Sequence, residues 1–422
     1  MAEIAPFRGF RYDTSVVGKL DEVVSPPYDV ISSDDRIYYH RRHPKNFVRL
    51  VLGEEFDSDD DRENRFTRAR RYLEQWSSDG TLKQDDRPAI YVYQQMFERA
   101  GPRRVRGFVC AVKLHEYSER VILPHENTLA KPKSQLGRLI RETRANLDSI
   151  YGLYSDEDCE LNAVMDAATA DAPDAEAADK DGVVHRLWVV DDPGEIAEVV
   201  RFMADKQVAI ADGHHRYETA LAYRNEMREL CGHDRELASD YTLMTLVNVH
   251  EKDMTIFPTH RVVSGLAEDT LSGLERCWGS LFEAADSTRE TLTSDMASRR
   301  AIGVYTRGRA KTLCLKADPE GLLEGNPASR RLELNVLHTL ILDRCLGIDE
   351  DKLRNQTHVA YTRDAEEAMS LVDSGTHQLA FLLNEIEVKS VLEIASAGET
   401  MPQKATYFYP KLLSGLVLRR MD

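Results

Sequence analysis

Residues 208–223, VAIADGHHRYETALAY, pass from an apolar run through an abrupt polar turn into a helical pattern, and this junction constrains the fold more than any other stretch. A short apolar run bounded by turn residues reads as a buried strand over Gln207 to Ile210, followed by a helix from about Tyr217 to Leu230. Such a junction belongs to α/β architecture, in which turns at the carboxyl edge of a sheet commonly hold ligands. Gly213 permits a positive φ or a close backbone approach. The unpaired amides of a helix N-terminus, together with Arg216, favour an anion there, phosphate foremost. Asp212 would hold a metal or a substrate hydroxyl, and His214 and His215 would donate to phosphoryl oxygens or move a proton. The plain alternative is a capped helix with spectator histidines. Five consecutive polar or glycine residues, Asp212 to Arg216, wedged between two apolar elements weigh against it.

A chain of 422 residues exceeds the size at which single cores stop growing, so two domains are expected. The reading is an α/β region over 1–160, an acidic Ala/Asp-rich exposed linker over 161–182, and a second α/β region over 183–422, the two regions able to close into one compact unit. Strands are expected over Ala89–Gln94, Val105–Leu114, Val183–Val190, Leu243–Val249, Ala301–Tyr305, Thr312–Leu315 and Gln378–Leu383. Helices are expected over Asn64–Trp76, Gln135–Leu147, Pro193–Ala204, Leu266–Phe282, Arg331–Cys345 and Ala365–Val372. Mixed α/β is the resulting fold class. No fixed-period repeat is present.

Hydrophobic residues make up 42% and charged residues 30%, a globular balance. The net charge of -17 argues against binding nucleic acid through its phosphates. The six cysteines show no metal-ligand spacing and read as small buried hydrophobes. No stretch approaches the ~18 uninterrupted apolar residues of a membrane span, and MAEIAPFRGF is not a signal peptide, so a cytoplasmic location is expected.

Three further segments carry polar chemistry. In LPHENTLAKPK, His125, Glu126, Asn127, Thr128, Lys131 and Lys133 offer a base, hydrogen-bonding groups and cations ahead of a helix. In MPQKATYFYPKLLSG, Lys404, Thr406 and Lys411 bring two cations and a hydroxyl into an aromatic, proline-punctuated loop that can clamp phosphate. In FPTHRV, His260 and Arg261 would extend an anionic-ligand site, and in SPPYDVI Asp29 is a candidate catalytic carboxylate. The ligand-binding set is therefore Gly213, Arg216 and Thr219 with His125, Asn127, Thr128, Lys131, His260, Arg261, Lys404, Thr406 and Lys411. The candidate catalytic residues are Asp212, His214, His215, Asp29 and Glu126, and Asp212 is the candidate metal ligand. There is no GxxxxGK[ST], GxGxxG, GxSxG or HExxH segment.

APFRGFRYD, VVSPPYDVI, LPHENTLAKPK, IADGHHRYETALAY, FPTHRVV and MPQKATYFYPKLLSGL, in this order along nearly the whole chain, resemble the domain of unknown function 1015 family. Asp212 to Ala220 also resembles the DGHHR or GxRRxxA motif of the ParB/sulfiredoxin superfamily, which includes free serine kinases. That resemblance implies a phosphate-binding turn at Asp212–Arg216 within a ParB/sulfiredoxin-like core carrying additional α/β elements. It implies phosphoryl transfer to or from a small hydroxyl compound, serine or phosphoserine foremost, with Mg2+ and a nucleotide or pyrophosphate donor. A nucleotide-binding regulatory switch and a metal-dependent hydrolase using His125, Glu126, His214 and His215 are the competing functions. A small molecule is the expected partner, with neither nucleic acid nor membrane, and homo-oligomer formation is left open.

Overall fold

The computed structural model describes residues 1–126, 130–232, 234–317, 321–402 and 404–421. The chain divides into two compact units: Met1–Pro124, Thr128–Met254 and Pro410–Asp422 form unit 1, and His125–Asn127 with Thr255–Tyr409 form unit 2. The expected 183–422 region thus contributes to both. Its last segment belongs to unit 1 because Leu418 bridges Phe10, Ser414 bridges Ser25, and Arg419–Arg420 pair with Ala145–Asn146.

Unit 1 is built on a nine-stranded mixed sheet. Its strands are β1 (Ile4–Ala5), β2 (Ile90–Glu98), β3 (Pro102–Lys113), β4 (Ile122–Leu123), β5 (Ile150–Tyr154), β6 (Ala175–Ala178), β7 (Val184–Val190), β8 (Val208–Asp212) and β9 (Tyr241–Asn248). The order is β4-β8-β5-β9-β3-β2-β7-β6, with β1 also on β3. Two pairings, β8 with β4 and β9 with β5, are parallel. Strand β9 is buried along its whole length, as a near-continuous apolar run in a central strand requires.

The helices of unit 1 include α1 (Arg65–Ser78), α2 (Ala130–Thr143), α3 (Pro193–Met203) and α4 (His214–Cys231). Asn64 caps α1 by accepting from the amides of Phe66 and Thr67, and Asp192 caps α3 ahead of Pro193. The core joins Phe108, Cys110, Met244 and Leu246 of the sheet's middle to Val208 and Ile210 of β8 and Tyr217 and Ala220 of α4. Burying each large side chain contributes about 1.5–3 kcal/mol, so β8 and α4, on either side of the DGHHR turn, are anchored independently of what the turn does.

Unit 2 contains a six-stranded antiparallel sheet of β10 (His260–Val263), β11 (Phe282–Ser287), β12 (Ile302–Thr306), β13 (Arg309–Leu315), β14 (Val359–Thr362) and β15 (Leu379–Leu382), in the order β11-β13-β12-β15-β10-β14. Helix α5 (Ala365–Asp373), capped by Asp364, buries Ala368, Met369 and Val372 with Val262, Tyr305 and Leu382.

Three expectations change. The stretch 161–182 is not an exposed linker: Asn162–Ala168 is helical, with Val164 and Met165 buried, and β6 pairs with β7. Alternation in AEAA explains this, because Ala175 and Ala177 turn inward while Glu176 faces water. The expected helix over Arg331–Cys345 is broken into Pro327–Arg331, Glu333–Val336 and a π-helical Leu337–Asp343, with Leu332 in extended backbone between the first two. The cysteines are not uniformly buried hydrophobes: Cys277 and Cys345 form a disulfide across 68 residues of sequence, and Cys231 is exposed. No helix among the described residues is long and apolar enough to cross a membrane.

Tyr217, fully buried, ties α4 to the loop after β3: its hydroxyl donates to the His115 carbonyl at 2.8 Å and accepts from the His115 amide at 3.0 Å, and its ring stacks on Tyr117. Tyr217→Phe removes both bonds while keeping the packing. It should lower the free energy of unfolding by about 1–2 kcal/mol, read as an earlier urea midpoint with an unchanged slope.

Candidate functional site

The apolar run of β8 ends at Asp212, and Gly213 turns the chain with φ +97 into α4. No side chain caps the helix start. Gly213 is required here twice over: its backbone lies in the left-handed region, and a Cβ would meet the Arg216 guanidinium at 3.0 Å. The turn therefore presents the first amides of α4 beside a guanidinium, the arrangement that binds anions.

Asp212 organises the charged groups. Lys411 Nζ donates to its Oδ2 at 3.1 Å, and Arg216 Nη2 donates to the same oxygen at 3.3 Å. Arg216 Nη1 also donates to the Ser149 carbonyl. The side chains of Arg216, Lys411 and Asp212 are only 9%, 12% and 22% exposed. Lys411 is placed through its own carbonyl, which accepts from Gln95 on β2 at 2.8 Å. The Ser25–Ser414 bridge draws the SPPYDVI turn into the same neighbourhood.

Three carboxyls share this region and respond differently. At Asp212, burial favours the neutral form, but Lys411 and Arg216 outweigh it and hold the pKa at about 2. At Asp29, burial and then the Asp212 charge raise the pKa, with Arg216 and Lys411 offsetting only part. At Asp148, burial again raises it, against Arg216 and a hydrogen bond from Ser414. Asp29 is open to water yet crowded by protein atoms, as befits the wall of a cleft. Arg216 gains from all three: burial acts against its charge, while Asp212, Asp29 and Asp148 raise its pKa. His215 is half-buried, and burial depresses its pKa despite Glu218 and Asp29.

Unit 1 thus brings together Asp212, Gly213, His214, His215, Arg216, Lys411 and Asp29 of the expected residues. Lys133 is committed to Glu218 at 2.8 Å. Thr219 departs from its expected role: it is buried, and its hydroxyl, without a hydrogen-bond partner, belongs to a small cavity lined by Leu136, Leu139 and Ile140 of α2. One turn of helix beyond Tyr217 rotates it away from the turn's amides. Tyr28, Asp148, Ser149 and Ser414 were not foreseen. Their short polar stretches resemble ordinary loop residues, and only Tyr28, beside Asp29, stood near a recognised segment.

The remaining expected residues belong to unit 2. His125 Nε2 lies 3.0 Å from Thr406 Oγ1, the Met401 amide donates to the His125 carbonyl at 2.7 Å, and the Lys404 amide donates to Glu126 Oε1 at 3.2 Å. The HENT and MPQKAT segments therefore meet, and the latter splits, with Lys404 and Thr406 in unit 2 and Lys411 in unit 1. His260 and Arg261 lie on β10. Asn127 and Thr128 and the side chain of Lys131 fall outside the described residues. Among the described residues no group of three His, Cys, Asp or Glu side chains is placed to hold a metal ion. The expected metal ligand Asp212 has Oδ2 engaged by two cations instead.

Two outcomes follow from this geometry. Gly213→Ala should cost about 1–2 kcal/mol in unfolding free energy, since an alanine there is strained by its backbone alone. Asp29→Asn should stabilise the protein at neutral pH by removing a carboxylate whose charged form is penalised. Because the folded pKa of Asp29 is raised, that penalty is present above it and vanishes below the unfolded value near 4. The gain should therefore disappear in acid. Asp212 has the opposite sign: its stabilisation is complete above about 4 and is lost as the pH falls towards about 2. Denaturant midpoints of the two variants across pH 2–7 check both signs.

No curated protein matches this chain. Among solved structures, a conserved hypothetical protein from Pyrococcus furiosus is 10% identical, with TM-score 0.35, covering 71% of this chain and 92% of that one. A free serine kinase in complex with AMP is 12% identical, with TM-score 0.34, covering 68% and 83%. SbnI from Staphylococcus aureus, with a C-terminal truncation, is 13% identical, with TM-score 0.36, covering 72% and 85%. The sequence model of the family described as protein of unknown function DUF1015 matches residues 4–338, and this chain belongs to that family.

Proposed function

We propose that unit 1 is a small-molecule phosphotransferase in which the DGHHR turn holds the phosphates of the donor. The observation that carries this reading is the helix start opened by Gly213, with Arg216 and Lys411 both drawn onto Asp212 beside it. Free amides and two cations suit an anion with several oxygens, and two cations already positioned need no rearrangement as phosphoryl charge redistributes during transfer. Asp212 keeps them in place when no anion is present.

Asp29 is the group we assign as general base towards the acceptor hydroxyl. Its raised pKa makes it a stronger base than an ordinary surface carboxylate, and it can still be ionised at neutral pH. His215, whose depressed pKa leaves it neutral, can donate or accept one hydrogen bond without adding charge. Mg2+ typically takes one or two carboxylates plus phosphate oxygens; Asp29 and Asp148 would be its ligands here, and the ion would supply charge neutralisation on the transferred group. The resemblance of DGHHRYETA to the superfamily that includes free serine kinases supports a nucleotide donor and serine as acceptor, and we place this activity in the cytoplasm. The metal-dependent hydrolase reading loses its basis, since His125 and Glu126 are tied to the Thr406 and Lys404 loop within unit 2.

Purified protein incubated with Mg2+, serine, and ATP, ADP or pyrophosphate should form phosphoserine. Arg216→Ala should lower kcat by about 10²–10³, and Asp29→Asn by about 10²–10⁴, with folding retained by circular dichroism. Absence of transfer to any of a broad panel of small hydroxyl compounds would sink the proposal. Thermal stabilisation by nucleotide without turnover would favour the switch instead.

A further inference from the structure

Arg261 is fully buried on β10 of unit 2, yet no carboxylate pairs with it among the described residues. Its Nη1 donates to the Thr259 carbonyl, its Nη2 reaches the Lys404 carbonyl only at 3.5 Å, and its Nε has no partner. The guanidinium lies over the Tyr361 ring at 5.2 Å, and the ammonium of Lys404 lies 4.9 Å from the same ring. Two cations therefore share one aromatic face. His338 stands close enough to feel the Arg261 charge, and its Nε2 is buried without a partner on the π-helical Leu337–Asp343. Single π-helical turns are often found at functional sites.

A desolvated guanidinium is costly unless matched by an acceptor of opposite charge. Arg419 of unit 1 shows the structural solution: comparably buried, it donates to Asn146 Oδ1 and to the carbonyls of Tyr241 and Ala238. Arg261 has no such set. The shortage is not one of supply, because the chain holds 72 acidic against 55 basic residues. The nearby acids are committed elsewhere: Glu126 accepts the Lys404 amide, and Asp364 caps α5. We propose that Arg261 and Lys404 form a seat for a small oxyanion, the phosphoryl or carboxylate group of a metabolite, whose oxygens take the unpaired guanidinium donors.

Without such an anion the basic groups oppose one another. Burial pulls Arg261 down to about 10, and His260 falls to about 4 through burial and then Arg261, with Asp364 offsetting part. His260 Nδ1 accepts from the Leu383 amide at 3.2 Å, which leaves its other nitrogen to face the neighbourhood as a neutral donor. An arginine fork matches two oxygens of one anion in a way a lysine does not. Arg261 would therefore set specificity, and the exposed Lys404 would close the seat from the solvent side.

The test uses the full-length protein carrying Arg216→Ala, or Lys411→Ala if that variant does not fold, so that the phosphate site proposed for unit 1 is disabled. Thermal unfolding is followed with inorganic phosphate, acetate, or chloride at matched ionic strength. Phosphate or acetate at about 20 mM should raise the midpoint by on the order of 2 °C over chloride. The shift should be lost on adding Lys404→Ala, and also on adding Arg261→Met; if the latter does not fold, the exposed Lys404 decides. A shift with phosphate alone identifies a phosphoryl seat, and one with both anions a general oxyanion seat. No shift over chloride, or a shift that survives Lys404→Ala, overturns the proposal. The readout is independent of phosphoryl transfer, so its failure and that of the phosphotransferase reading are distinguishable.

Discussion

The Asp212 carboxylate joins parts of the chain that lie far apart in sequence: its own strand β8, the first turn of α4 through Arg216, and the C-terminal segment through Lys411. One oxygen accepts from both cations, each of which is largely withdrawn from water. Breaking either contact would leave a charge in a low-dielectric setting, so the three segments hold one another in register. Much of the nearby electrostatics follows from that arrangement. The cations satisfy Asp212 first, and Asp29 and Asp148 are left with raised pKa values because little positive charge remains for them.

The two units show opposite solutions to buried charge. Around the DGHHR turn three carboxyls surround Arg216 and Lys411, so that an arriving anion would drive Asp29 and Asp148 further towards their protonated forms. Around Arg261 the imbalance runs the other way, with His260, His338 and Lys404 near a guanidinium and no acid paired to it. In a chain of net charge -17, a basic cluster of this kind is a local arrangement that the overall composition does not explain.

Much of the secondary structure was legible where periodicity was strong. The strands over Ala89–Gln94, Val183–Val190 and Leu243–Val249, and the helices over Asn64–Trp76 and Pro193–Ala204, match observed elements because a long apolar pattern admits one reading. Short strands such as β4 and β5 were missed, since two to five apolar residues do not distinguish strand from loop without a partner. The 161–182 stretch was misread because alanine is too small to announce burial; only pairing of β6 with β7 shows that Ala177 is interior. The break at Leu332 had no proline or glycine to mark it.

The sequence by itself determined the mixed α/β class and the chemistry of the strand-to-helix turn. Gly213, with Arg216 three residues on, constrains local backbone and charge whatever else surrounds them. Which distant residues join that turn was decided only by tertiary structure. Lys404 and Lys411 stand seven positions apart in one loop-like segment, yet they belong to different units, because the backbone from Tyr407 to Tyr409 pairs with Thr255–Phe257 and the chain then passes to unit 1 at Pro410. Asp148 and Ser414 entered the Asp212 neighbourhood for the same reason. Sheet pairing, which no local pattern encodes, sets where a loop residue ends up.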